Sequence, residues 1–139
     1  MSDTARFVVA VVVAVFRGGR VLAMRRSPDK DAGAGAWEAL SGRVQSGEDP
    51  LQAAARETRE ECGLTPAIDP RPVASYQAKR NRDDMIVVVY RAISDAGDVV
   101  LSGEHDRFLW MTPEEFGAAC PFPKRAEAVR LAAVLPEWR

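Results

Sequence analysis

Histidine is nearly missing from this chain, with one residue at position 105, and cysteine is scarce, with Cys62 and Cys120 alone. A single imidazole excludes a His-rich zinc site and leaves Ser-His-Asp chemistry without support. Neither cysteine belongs to a CxxC pair, so no zinc ribbon or disulfide framework is expected, and the chain reads as reduced and cytoplasmic. Charge of one sign is lacking too: nineteen Lys and Arg against twenty Asp and Glu leave a formal net charge of −1. Nothing global would hold such a chain on a nucleic acid or an acidic membrane, so any attraction for phosphate must be local. Long apolar runs are also short: Phe7 to Phe16 (FVVAVVVAVF) spans ten residues, against the roughly twenty that a membrane helix needs. The RGGRVLAMRRS that follows has no small-x-small cleavage pattern and resumes apolar character across a Gly-Gly turn, which favours a β-hairpin over a signal peptide. With 139 residues the chain is expected to form one domain over 1–139 and is too short for two cores.

What is there is well punctuated. The β-branched run from Phe7 to Phe16 suits a strand buried on both faces, and Val21 to Met24 a shorter one. Ser27 to Gly35 is polar and rich in Gly, Pro and Asp, a loop. A helix is expected from Pro50 to Cys62: Asp49 caps it, Pro50 takes the first position, Gln52 completes a capping-box pattern, and Gly63 ends it in the left-handed region. Val73 to Lys79 and Met85 to Ala92 read as strands around the polar turn Arg80 to Asp84, with Val99 to Leu101 and Phe108 to Met111 as shorter candidates. Thr112-Pro113-Glu114-Glu115 opens another helix, and Arg125 to Leu135 a last one with an apolar stripe. Mixed strands with a few helices point to an α/β sandwich.

On the first helix, Leu51, Ala54, Ala55, Thr58 and Cys62 are expected to pack on the sheet, while Glu57, Glu60 and Glu61 share a broad opposite face. Like charges four residues apart cost a helix a few tenths of a kcal/mol. Helix propensity does not explain them; a hard divalent cation with oxygen ligands would. A solvated face with an Arg56–Glu60 ion pair is the plain alternative. The longer spacing decides between them. From Gly42 to Leu64 the chain reads GRVQSGEDPLQAAARETREECGL. This resembles the Nudix box, with Gly42, Glu48, Arg56, Glu57, Glu60, Glu61, Gly63 and Leu64 at its fixed positions. Thr58 departs from the pattern, standing where the family has an apolar residue.

The resemblance implies a Nudix-type α/β/α sandwich with a mixed β-sheet and a pyrophosphohydrolase that uses Mg²⁺, with Mn²⁺ able to substitute. Carried over by position, Glu57 and Glu61 are the primary metal ligands, Glu60 a ligand or water activator, and Gly42 the donor of a backbone carbonyl. Glu48 and Arg56 would pair and orient the site. Glu104, in SGEHDRFLW, is the candidate general base from a later loop, or else an exposed carboxylate. His105 beside it reads as solvated. Arg25 and Arg26 end the second strand near the family's substrate site; one of them reaches a phosphate, or both form a surface pair. Trp37 is a substrate-binding candidate that could stack on a base, or it packs under the sheet, the favoured reading.

Leu40-Ser41-Gly42 replaces the Pro-Gly-Gly common in relatives, and KRNRDD stands where markers of ADP-sugar and dinucleoside polyphosphate substrates would fall. A nucleoside triphosphate is then the expected substrate by elimination; Lys79, Arg80 and Arg82 either touch its distal phosphates or, the favoured reading, form a solvated hairpin tip. The implied partner is a small nucleotide, with neither nucleic acid nor membrane, and a homodimer is left open. A catalytically silent Nudix domain sensing nucleotides is the alternative function, set against it by the retained glutamates.

Overall fold

Valine and alanine alternate between two apolar layers along β1 (Val8–Arg17). Val11, Val13 and Val15 join one buried cluster, and Val12 and Ala14 the other. A strand with no polar side chain in its middle is stable only where both faces are covered, and here each face meets helices. The structure, a computed structural model, describes residues 3–29 and 33–138. Residues 30–32 of the expected Ser27 to Gly35 loop lie outside them.

β1 turns through Gly18 and Gly19, both at positive φ, into β2 (Arg20–Arg26). Left-handed backbone at both central positions matches the strand twist and suits glycine, so the hairpin forms where the sequence places it. Two short strands that the sequence pattern does not announce follow, β3 (Trp37–Glu38) and β4 (Leu40–Arg43). Next come α1 (Pro50–Cys62), β5 (Ala67–Ile68), β6 (Ala74–Arg80), β7 (Asp83–Ile93), β8 (His105–Met111), α2 (Pro113–Ala119) and α3 (Pro123–Val134). The sheet runs β3-β2-β1-β7-β5, with β4 also pairing β1, β6 pairing β7 and β8 pairing β2. β1 and β7 are parallel and the other pairs antiparallel, which makes the sheet mixed. α1 covers one face with Ala53, Ala54 and Cys62, while Phe116 of α2 and Ala128, Val129 and Ala132 of α3 cover the other. The result is the expected α/β/α sandwich.

Four local expectations need correction. Val99 to Leu101 is not a strand: Val100 N–H donates to Cys62 O and Ser102 N–H to Glu61 O, so this backbone caps the end of α1 instead of joining the sheet. The polar hairpin turn is tighter than five residues, because Asn81 takes a φ of 55° and β6 and β7 pair as far as Arg80 and Asp83. On α1, Leu51 is exposed and Ala55 only half-buried, while Ala53 and Glu57 are buried. The packed face is therefore rotated toward Glu57. On α3 the apolar stripe is narrow, with Leu131 and Val134 left exposed.

Candidate active site

The rotation of α1 follows from Gly42. A Cβ at that position of β4 would overlap the Glu57 carboxylate, so only a glycine lets the acidic side chain lie against the strand. Glu57 is accordingly 9% exposed, an unusual state for a carboxylate. Burial pushes its carboxyl up, Glu61 and Glu60 push the same way, and Arg56 opposes them without reversing the shift. Arg56 is the hub of the surrounding loop. Its Nε and Nη2 donate to the two oxygens of Glu48 at 2.7 and 2.9 Å, Nη1 donates to Glu57 at 2.8 Å and to Glu60 at 3.2 Å, and Nη2 reaches Arg43 O at 3.0 Å. The guanidinium fork holds the Glu48 carboxyl down at about 2, helped by the Gln45 N–H. Glu48 and Arg56 thus pair and hold Glu57 in place.

A second group lies at the end of α1. Ser102 Oγ donates to Glu61 Oε2 at 2.9 Å, and His105 Nδ1 sits 3.5 Å from the same oxygen. His105 Nε2 is 3.3 Å from Glu38 Oε1, and Glu38 also accepts from Arg125 at 2.8 Å and from Arg26 at 3.3 Å. The expectation of a solvated His105 is wrong. It begins β8, is 6% exposed, and stands between two carboxylates. Burial alone would lower its pKa, but Glu38 and Glu61 override that and push it up to about 9. Burial would likewise raise the Glu38 carboxyl; His105, Arg125 and Arg26 together keep it below its ordinary value.

Beside Gly42 opens a cleft of about 540 Å³, bounded by Glu38, Tyr76, Phe122, Lys124 and Arg125. Lys124 Nζ donates to Gln77 O, which ties the start of α3 to β6. Arg26, Lys79 and Arg80 also line the cleft, so the hairpin cations belong partly to it and not only to solvent.

The expected residues divide as follows. Gly42, Glu57, Glu48 and Arg56 are drawn together, and Glu61 ends the same helix one turn on. Glu60 is the exception among the three carboxylates: its side chain is 57% exposed at the rim, with Arg56. Glu104 is half-buried in the turn before β8, its carbonyl accepting from Ser27 N–H and its own N–H directed to Ser102 Oγ. The pairing of β2 with β8 shifts register between Arg25 and Arg26, and Arg26 lines the cleft while Arg25 forks onto Asp106 with contacts of 2.9 and 2.7 Å. Trp37 packs against the core as expected, with Arg107 6.0 Å from its ring, and does not line the cleft. Sequence reasoning missed Glu38, Ser102, Tyr76 and Arg125; only the acidic Glu38 inside the apolar stretch AWEAL gave a signal.

The donor set suits a hard cation: carboxylate oxygens and a glycine carbonyl, with a charged group lodged where a Cβ would otherwise be. Among the described residues no three His, Cys, Asp or Glu side chains are gathered tightly as they stand. Glu57 is turned to Arg56, and Glu61 to Ser102 and His105.

Fold and site together define a class, an α/β sandwich whose loop-helix-loop acidic centre meets, at Gly42, a strand that borders a cleft. The chain belongs to the Nudix family of hydrolases, which act on nucleoside-diphosphate-linked substrates; the family model described as NUDIX domain matches residues 6–134. It is 33% identical over 109 residues to the CTP pyrophosphohydrolase of Escherichia coli (strain K12), covering 77% of this chain and 78% of that one. It is 35% identical over 131 residues to an octanoyltransferase of Myxococcus xanthus, covering 89% of this chain but only 36% of that protein's length. Among solved structures, an Ap4A hydrolase of C. elegans in a binary complex aligns with a TM-score of 0.80 and 25% identity, covering 91% of this chain and 95% of that one.

Proposed function

We propose that this chain, working as one domain, is a Mg²⁺-dependent pyrophosphohydrolase that cuts a diphosphate linkage in a nucleoside triphosphate or a related nucleotide. The observation that carries this reading is the buried Glu57 carboxylate in the space left by Gly42, at the edge of a cleft large enough for a nucleotide. The similarity to a CTP pyrophosphohydrolase over most of both chains supports the triphosphate class.

Glu57, Glu61 and the Gly42 carbonyl would hold Mg²⁺, with Glu60 joining from the rim and Mn²⁺ able to substitute. When bound, the ion neutralises phosphate oxygens and lowers the pKa of a water. Arg56, fixed by Glu48, keeps the Glu57 carboxylate pointing at the Gly42 side of the cleft. Glu104 takes the proton of the attacking water, a role that contributes roughly 10² to 10⁴ in rate. Tyr76 and Phe122 offer ring faces for a base, and Arg26, Lys79, Arg80 and Lys124 offer charge for phosphates.

The test is Glu57→Gln, which keeps length and helix propensity but removes the charge. Hydrolysis of a nucleotide panel, with and without Mg²⁺, should fall at least about 10² in the variant, equivalent to roughly 2.7 kcal/mol of transition-state stabilisation. The metal-free melting temperature should hold or rise, because a like-charge pair is relieved. A folded Glu57→Gln protein with undiminished Mg²⁺-dependent turnover would defeat the proposal. A wild type that binds nucleotides without turning any over would favour the sensing module.

A further inference from the structure

His105 connects two parts of the molecule that the proposed chemistry treats separately. Glu61 ends the carboxylate helix; Glu38 lies in β3 at the floor of the cleft. Both are acidic, and the single imidazole between them has one nitrogen toward each, at 3.5 and 3.3 Å. Its side chain is 4% exposed. Nε2 is paired with Glu38, whereas the buried Nδ1 stands 3.5 Å from Glu61 Oε2 and completes no hydrogen bond among the described residues. A buried polar nitrogen held just short of its carboxylate is costly, so this arrangement calls for a function beyond packing. Beyond Glu38 the chain of contacts continues to Arg125, whose guanidinium stacks 5.1 Å from the Phe122 ring at the cleft wall.

We propose that His105 is a positioning residue with two separable tasks: through Nδ1 it sets the Glu61 carboxylate for metal, and through Nε2 it sets Glu38 and with it Arg125 for the nucleotide. It touches neither ligand itself. The proposal rests on the reading of Glu61 as a metal ligand and of the cleft as the substrate site.

The two ring nitrogens can be tested one at a time. An asparagine amide overlays the Nδ1 position of a histidine and a glutamine amide the Nε2 position, so His105→Asn keeps the side toward Glu61 and His105→Gln the side toward Glu38. Mn²⁺ binding, measured by titration calorimetry without nucleotide, should weaken about tenfold in His105→Gln, the size of loss usual when a group that orients a metal ligand is removed. The same variant should lose kcat with KM within about threefold of wild type. His105→Asn should show the mirror result, Mn²⁺ affinity within about threefold of wild type and KM for the best nucleotide raised about tenfold. Two outcomes would overturn the inference: both variants matching wild type in both quantities, or both losing both equally, as a merely structural residue would. Glu61→Gln is the control on the underlying reading. If it binds Mn²⁺ as tightly as wild type, the metal assignment itself fails, whatever the His105 variants do.

Discussion

Glu48 shows how far one residue's chemistry depends on another eight positions away. Its carboxyl sits at about 2 against an ordinary value of 4.5, first because Arg56 donates to it and second because the Gln45 N–H does. A depressed folded pKa contributes stability that is fully present above the unfolded value and is lost as pH falls through the folded one. In metal-free protein, Glu48→Gln should therefore melt below wild type near neutrality, and the gap should close as pH falls from about 4.5 toward 2. Thermal melts across that range check it; a gap independent of pH would mean that Glu48 contributes only packing. Gly42, Glu48, Arg56, Glu57 and Glu61 could be singled out in the sequence because the Nudix box they resemble fixes their spacing along one loop and one helix. Glu38, Ser102 and Arg125 were not, since their partners come from distant segments and a lone polar residue carries no periodic signal. His105 was misread for the same reason: its neighbours in sequence are polar, but its neighbours in space are two buried carboxylates.

The helix α1 was legible in its ends and misjudged in its rotation. Pro50 begins it, the Gln52 side chain accepts from Asp49 N–H at 2.8 Å, and Gly63 closes it at a φ of 73°. Which face is buried was decided from outside the helix, by the missing side chain at Gly42, and no periodicity within residues 50–62 encodes that. Thr58 lies on the part of the face that both readings share. It is fully buried, and its hydroxyl donates to Ala54 O at 2.7 Å, which satisfies the group within the helix. Thr58→Val trades that bond for a methyl group of similar size, so stability should change by no more than about 1 kcal/mol in either direction. Denaturant unfolding and Mn²⁺ titration of the variant check this together. A loss of metal affinity would show that the helix turns its faces differently. The segment after Gly97 shows the converse: Val99 and Val100 are strand-like residues, yet the N–H groups of Val100 and Ser102 serve the last carbonyls of α1, a demand no local pattern reveals.

At the scale of the molecule, the acidic centre lies outside both apolar clusters, which are built mainly from β1, β2, β7 and the three helices. Metal should then be needed for turnover and not for folding. Excess EDTA should abolish hydrolysis while leaving a cooperative melt, and added Mn²⁺ should raise the melting temperature, by up to about 2.7 kcal/mol of stabilisation at a hundred times the dissociation constant. An EDTA-treated protein that no longer melts cooperatively would contradict this. An α/β sandwich was legible from strand and helix content, and the mixed sheet followed from the resemblance to the Nudix box, but the order of the strands was legible in neither. β1 has its longest pairing with β7, in parallel, with Val8 opposite Met85 and Phe16 opposite Ile93.

That pairing has a cost while the chain is still being made. A ribosome that has just extruded Val8 must add a further 77 residues, the separation of Val8 and Met85, before that residue's parallel partner emerges. At a synthesis rate of about 5 to 20 residues per second, that wait is roughly 4 to 15 seconds. Throughout it the nascent segment VVAVVVAVF carries no charge, no proline and no glycine, which is the composition of a segment prone to stack with copies of itself. The β2 hairpin covers only the end of β1 at Phe16 and Arg17, and β4 later takes one edge from Ala10 to Val13, so the same apolar alternation that makes β1 the middle of the finished sheet leaves its other edge open to wrong partners until β7 is made.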